Sequence, residues 1–385
     1  MNRFSVLLAA TLLSLPAFSR TGHSETVPFD PQRWDIKDGN GKIEDYLGRK
    51  SLFLRSGLAL LKGATLEDGV IEVDIAAPNR LSFLGVVFRL ESEGDYEIVY
   101  FRAHKSDRPD AVQYTPSFNS SAAWQIYSGE GFTSPAHIRH DEWVHARIEI
   151  SGLGARVYFD NMEEPVLVVD ELKRGSGGGS LGLWGFVNGG HFSNFSFEPS
   201  KTANAPAQTH QEFAPGTLAK WELSEAFDSN VRDIDVVPSA AELKAMNWEP
   251  VAVESPGMVV INRYRETSEI VPSFREPKDR TGRREGRKVV FARAVIHSDS
   301  DQTKKMSFGY SDEATVILNS KPLFTGKSAF LFRDPGFAGI MDVENDAVYL
   351  DLKKGRNEII LAVADYFGGW GFICRIDDMQ GIELE

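Results

Sequence analysis

Apolar and polar residues alternate with a period of two along most of the chain. The segments "GVIEVDIAA", "LSFLGVVFRL", "YEIVYFRAH", "VHARIEISG", "ARVYFDN", "KVVFARAVIHS", "ATVILNS" and "NEIILAVADY" all carry the pattern. Most end near Gly, Pro, Asn or Asp, as half-buried strands do before turns. One helix is expected, at 239–248: Ser239 is followed three residues later by Glu242, with Leu243 and Met246 on one face. Strands at this spacing predict an all-β chain of two β-sandwich (jelly-roll) domains with few helices. The stretch "PSKTANAPAQTHQ" has almost no bulky apolar residue and reads as a linker over 199–211. The expected domains are therefore 30–198 and 212–385.

Alternation also sorts side chains by face. Leu84, Val86, Phe88, Val99, Phe101, Val112, Tyr114, Trp124 and Ile126 fall on one side and are expected in a core. Arg89, Tyr100, Arg102, His104, Gln113, Gln125 and Tyr127 fall on the other. Planar, amphipathic donors on an open sheet face suit a sugar: rings stack on its C–H faces, and amides or guanidinium groups bond its hydroxyls. These seven residues are the candidate ligand-binding set. Two arginines on that face would suit a carboxylated or sulfated sugar.

Composition narrows the setting. The formal net charge is −13 over 385 residues, which argues against nucleic acid as a partner. Arg3, the apolar residues 4–18 and the Ala17-Phe18-Ser19 site give an expected signal peptide over 1–19, hence export to a periplasm or the extracellular space. The apolar run is short and broken by Pro16, so no membrane span is expected. A single cysteine, Cys374, makes an internal disulfide impossible and reads as a buried strand residue.

Residues 52–197 resemble a concanavalin A-like lectin/glucanase jelly roll of the laminin-G-like type. "GRKSLFLRSGLALLKGATLEDGVIEVDI" looks like its opening strands, "WVHARIEISGLGARVYFDNMEEPVLVV" like its back-sheet hairpin and "GSLGLWGFVNGGHFSNFSF" like its closing pair. That resemblance implies a fold shared by lectins, glycan-binding modules, glycosidases and adhesion domains. It does not imply one function. Residues 221–376 resemble a galactose-binding-like sandwich through "ATVILNSKPLF" and "LDLKKGRNEIILAVADYFGGWGF".

Other chemistry is conceivable on the same chain. A retaining glycosidase needs two carboxyl groups about 5 Å apart. "IEVDIAAP" supplies Glu72 and Asp74, but Ala77 stands where the laminarinase-like Glu-x-Asp-x-x-Glu pattern has its last Glu. The Asn-Ser-Gly strand start of keto-disaccharide hydrolases is replaced by "SFLGVVFR". A glycan or keto-sugar hydrolase using Glu72, Asp74, Asp110 or His104 is therefore the rival expectation, and a protein-docking or adhesion module the third. His137, His140 and His145 lack the His-Glu-x-x-His spacing of a zinc helix. No cofactor is required by this reading, although Asp107 and Asp110 could hold calcium in the turn "KSDRPDA". "RGSGGGS" precedes a strand and lacks the Lys-Ser/Thr of a phosphate loop. Residues 275–288 carry seven Lys/Arg against three Asp/Glu, a solvated loop or a patch for an anionic polysaccharide. The expectation is an exported, non-catalytic protein that binds a poly- or oligosaccharide.

Overall fold

The computed structural model describes residues 26–37, 41–200, 213–267 and 287–385. The expected signal peptide, nearly all of the linker and most of the basic stretch 275–288 lie outside them. The described residues are all-β, with one α-helix at Ala240–Ala245. Its capping box forms as the sequence predicts: the Ser239 hydroxyl accepts from the Glu242 backbone N–H, and the Glu242 carboxylate accepts from the Ser239 N–H.

Four antiparallel sheets stack as two sandwiches. The front sheet of the first runs Trp34–Ile36, Gly57–Leu66, Gly179–Phe186, Phe83–Ser92, Asp95–Arg102, Val112–Phe118 and Thr133–Ser134, with Ser121–Ala122 paired to Val112–Phe118. The back sheet runs Leu167–Val169, Gly154–Phe159, Val144–Ser151, Gly69–Ala76, Gly190–Pro199, Arg49–Leu54 and Gly41–Tyr46. Alternate residues of both sheets meet in one core. Leu84, Val86, Phe88, Val99, Phe101, Val112 and Tyr114 face Ile71, Val73, Ile75, Ile148, Val157 and Phe192. At roughly 25 cal/mol per Å² of apolar surface removed from water, this burial is the main favourable term.

The second sandwich packs its own core around Trp221, Val290, Phe308, Tyr310, Leu350, Leu361, Trp370 and Phe372. Cys374 is buried there, and burial pushes its thiol pKa up. A turn at Asn319-Ser320 follows Glu313–Leu318, with both residues at positive φ. Asn319 and Asn357 lock it: Asn319 Nδ2 donates to Asn357 Oδ1 at 2.9 Å, and Glu358 N to Asn319 Oδ1 at 2.9 Å.

A seam joins the sandwiches. Phe118, Ala123, Ile126 and Tyr127 of the first pack on Met258, Val260, Met341 and Ile373 of the second. Gln125 is its polar key. Its N–H donates to Gly368 O (2.9 Å), its Nε2 to Ala338 O (2.7 Å), and its Oε1 and O accept from Ser311 Oγ (3.2 Å) and Met341 N (2.9 Å). Gly368 is needed for this approach: its φ is +93°, and a Cβ there would stand 2.4 Å from Gln125 Oε1.

Candidate functional site

The seven expected ligand-binding residues do not share one open face. Arg89 lies at a bulge with φ +48°, where pairing slips between Phe88 and Ser92. The extra residue reverses the parity of the strand. Arg89 is thus buried and ties loops together, donating to Gly152 O (2.6 Å), Gly175 O and Glu67 O (3.0 Å). Residues 124–127 form a turn rather than a strand, so alternation fails there too. Gln125 and Tyr127 are fully buried in the seam. The Tyr127 hydroxyl donates to the Glu254 carboxylate at 3.0 Å. Burial, then the adjacent carboxylate, holds its pKa well above the usual tyrosine value. Trp124, expected in the core, is instead only half-buried.

Tyr100, Arg102 and Gln113 do stand together on the outer side of the front sheet, but they are buried and bonded to one another. Gln113 Oε1 accepts from the Tyr100 hydroxyl (2.7 Å) and from Arg102, whose Nη1 donates to Asp110 O (2.6 Å). Gln113 Nε2 donates to Trp124 O (2.9 Å) and Tyr127 O (2.5 Å). This network braces the turn that carries Trp124. His104 alone of the seven is exposed, in a 3-10 turn (Ala103–Lys105) beyond the strand end.

What these residues support is an aromatic strip. Trp184, Gly85, Tyr100 and Gln113 pair in one cross-strand row, and Phe186, Phe83 and Arg102 in the next. Gly85 leaves the space that lets Tyr100 and Trp184 approach to 5.6 Å; a Cβ there would meet Ile98 Cδ1 at 2.9 Å. Phe83 lies 5.0 Å from His104 and 5.6 Å from Phe186, which stacks on Trp184 at 5.6 Å and 15°. Phe83, Trp184 and Phe186 are half-buried, so part of each ring meets solvent. The sequence signal existed in "LGLWGF": Leu181 and Leu183 point inward, so Trp184 and Phe186 must alternate outward.

Of the carboxylates of the hydrolase expectation, Glu72 and Asp74 lie elsewhere, on the outer side of the back sheet, while Asp110 lies near Arg102 at the end of the front sheet. Asp74 pairs with His145 in register. Its oxygens accept from His145 Nδ1 (2.7 Å), Asn194 Nδ2 (2.7 Å) and Arg49. Burial would raise the Asp74 pKa, but the bonds from His145 and Asn194 bring it below the usual carboxylate value. The His145 pKa is raised, chiefly by its bond to Asp74. Its Nε2 lies 3.5 Å from Glu72 Oε1.

The three histidines diverge. His137 Nδ1 sits 3.0 Å from Asp107 Oδ2, and His140 Nε2 lies 2.8 Å from Ala103 O. Asp107 is thus engaged by His137, and Asp110 by Lys105 at 2.9 Å. Among the described residues no group of three or more His, Cys, Asp or Glu is arranged to hold a metal ion. No described helix is long and apolar enough to cross a membrane.

Neither a family model nor a curated protein matches the sequence. Among solved structures, the chain is similar to the carbohydrate binding module CBM66 from Bacillus subtilis, with 18% identity over 43% of this chain and 92% of that one, at a TM-score of 0.32. It is similar to a galectin-like-fold protein of unknown function from Bacillus subtilis, with 11% identity over 43% and 89% and a TM-score of 0.33. A Bacillus licheniformis beta-glucanase gives 14% identity over 47% and 100%, with a TM-score of 0.29. At this level of likeness, the sandwich architecture rests on the strand pairing itself.

Proposed function

We propose that the chain is an exported, non-catalytic carbohydrate-binding protein whose first sandwich holds a poly- or oligosaccharide on the aromatic strip. The observation that carries this is the half-exposed trio Phe83, Trp184 and Phe186, packed on one another with Tyr100 against Phe83 and Trp184. Rings fixed by cross-strand packing offer flat faces to sugar C–H groups with little entropy left to lose on binding. Tyr100, Arg102 and Gln113 act beneath them as the frame. Glu72 and Asp74 stand on the opposite sheet, so the strip and that carboxylate pair cannot act on one substrate, while Asp110, near Arg102, is engaged by Lys105.

The test is affinity electrophoresis of the intact chain through a panel of polysaccharides, with a reducing-end assay on each. Retardation without sugar release is expected. Trp184→Ala should weaken it about tenfold, equivalent to ~1.4 kcal/mol. Sugar release that disappears in Asp74→Asn would instead favour the hydrolase, for which the Glu72–His145–Asp74 chain is the motivating geometry. Retention of a protein and of no glycan would favour an adhesion module.

A further inference from the structure

Resting on the reading above, we infer that the second sandwich is part of the binding surface and that the surface takes an uncharged sugar chain. Trp124 of the first sandwich and Phe330 and Phe367 of the second form a three-ring cluster. Their centroids are 5.8 Å (Trp124–Phe330), 5.9 Å (Trp124–Phe367) and 5.9 Å (Phe330–Phe367) apart. All three rings are half-buried. Arg102 links them to the strip, with its guanidinium 4.9 Å from the Tyr100 ring and 5.9 Å from the Trp124 ring.

The cluster is held in place. Gln125, next to Trp124, is bonded to Gly368 and Ala338, which flank Phe367 and the loop of Phe330. Trp124 therefore cannot move relative to the two phenylalanines without breaking the seam. Rings preorganised across two domains make a subsite that neither sandwich has alone.

Charge gives the ligand class. Among the described residues, three cations that touch these rings and their neighbours each have a carboxylate partner. Arg102 lies 3.8 Å from Asp110. Lys327, 4.9 Å from both the Phe332 and Tyr366 rings, lies 2.7 Å from Glu313. Arg333, over Phe337, pairs with Asp346. An anionic sugar would have to compete with these carboxylates, in a chain of net charge −13. A neutral sugar needs only ring faces and hydroxyl partners.

Full-length protein is run through neutral glucan, xylan and galactan and through polygalacturonate and alginate. Phe330→Ala/Phe367→Ala is compared with wild type, with Tyr349→Ala on the exposed far edge as control. The expected result is retardation by a neutral polymer only, about fivefold weaker in the double variant while circular dichroism shows it still folded, and restored in Phe330→Tyr/Phe367→Tyr. Wild-type retardation that the double variant keeps in full overturns the composite surface while leaving the strip in place. Retardation by the anionic polymers alone overturns the neutral class. No retardation by any polymer overturns this inference together with the function it rests on.

Discussion

The two outer faces of the first sandwich began from the same alternating pattern and ended differently. On the back sheet, Val144–Ser151 alternates buried and half-exposed residues without interruption, and its outward side chains form an ionic lattice open to water. On the front sheet, Phe83–Ser92 and Asp95–Arg102 are almost wholly buried on both sides. There the outward residues pack on one another and the second sandwich docks beside them. Burial converts polar side chains from ligand donors into framework, because a buried polar group must find an internal partner. The half-exposed aromatics are what remain for a ligand.

The largest expected effect comes from breaking the seam that creates this difference. Gln125→Ala removes the partner of Ala338 O and one of the acceptors of Ser311 Oγ, which keeps Gly369 O, in a buried seam, and should destabilise the protein by roughly 2 kcal/mol in urea unfolding. Tyr127→Phe should cost about 1 kcal/mol, because Arg263 still pairs with Glu254 when the hydroxyl is gone. A loss as large as that of Gln125→Ala would mean that Tyr127 rather than Gln125 is the key of the seam.

The back face yields the smallest effect, visible as pH dependence. His145 has a raised folded pKa, so its contribution is fully present below its unfolded value of about 6.5 and is lost as pH rises through the folded value. Asp74 has a lowered folded pKa, so its contribution is present above about 3.9 and fades as pH falls through the folded value. The pair therefore supports the fold most between the carboxylate range and the His145 midpoint. Asp74→Asn should lower the His145 midpoint in an NMR titration and flatten stability across pH 6–8. An unmoved midpoint would show that Glu72 rather than Asp74 holds the proton.

The core side of the front sheet was legible in sequence because its strands are regular: Leu84, Val86, Val99, Phe101 and Val112 sit where alternation puts them. The site was less legible for two physical reasons. Parity is lost wherever the backbone leaves the strand, as at the Arg89 bulge and in the 124–127 turn. Burial by a segment more than 200 residues away, as Gln125 is covered by Ala338 and Gly368, leaves no local trace. Phe330 and Phe367 lie in loops of the second sandwich, and only the tertiary fold brings them to Trp124.

The front aromatic strip is proposed to bind carbohydrate. This is tested most directly by affinity electrophoresis of wild-type chain and Phe83→Ala/Phe186→Ala in neutral polysaccharide gels, with circular dichroism to verify the fold. Retardation of the wild type and at least a tenfold weaker retardation of the folded variant are expected. Equal retardation of the two proteins, or none of the wild type, would contradict the proposal.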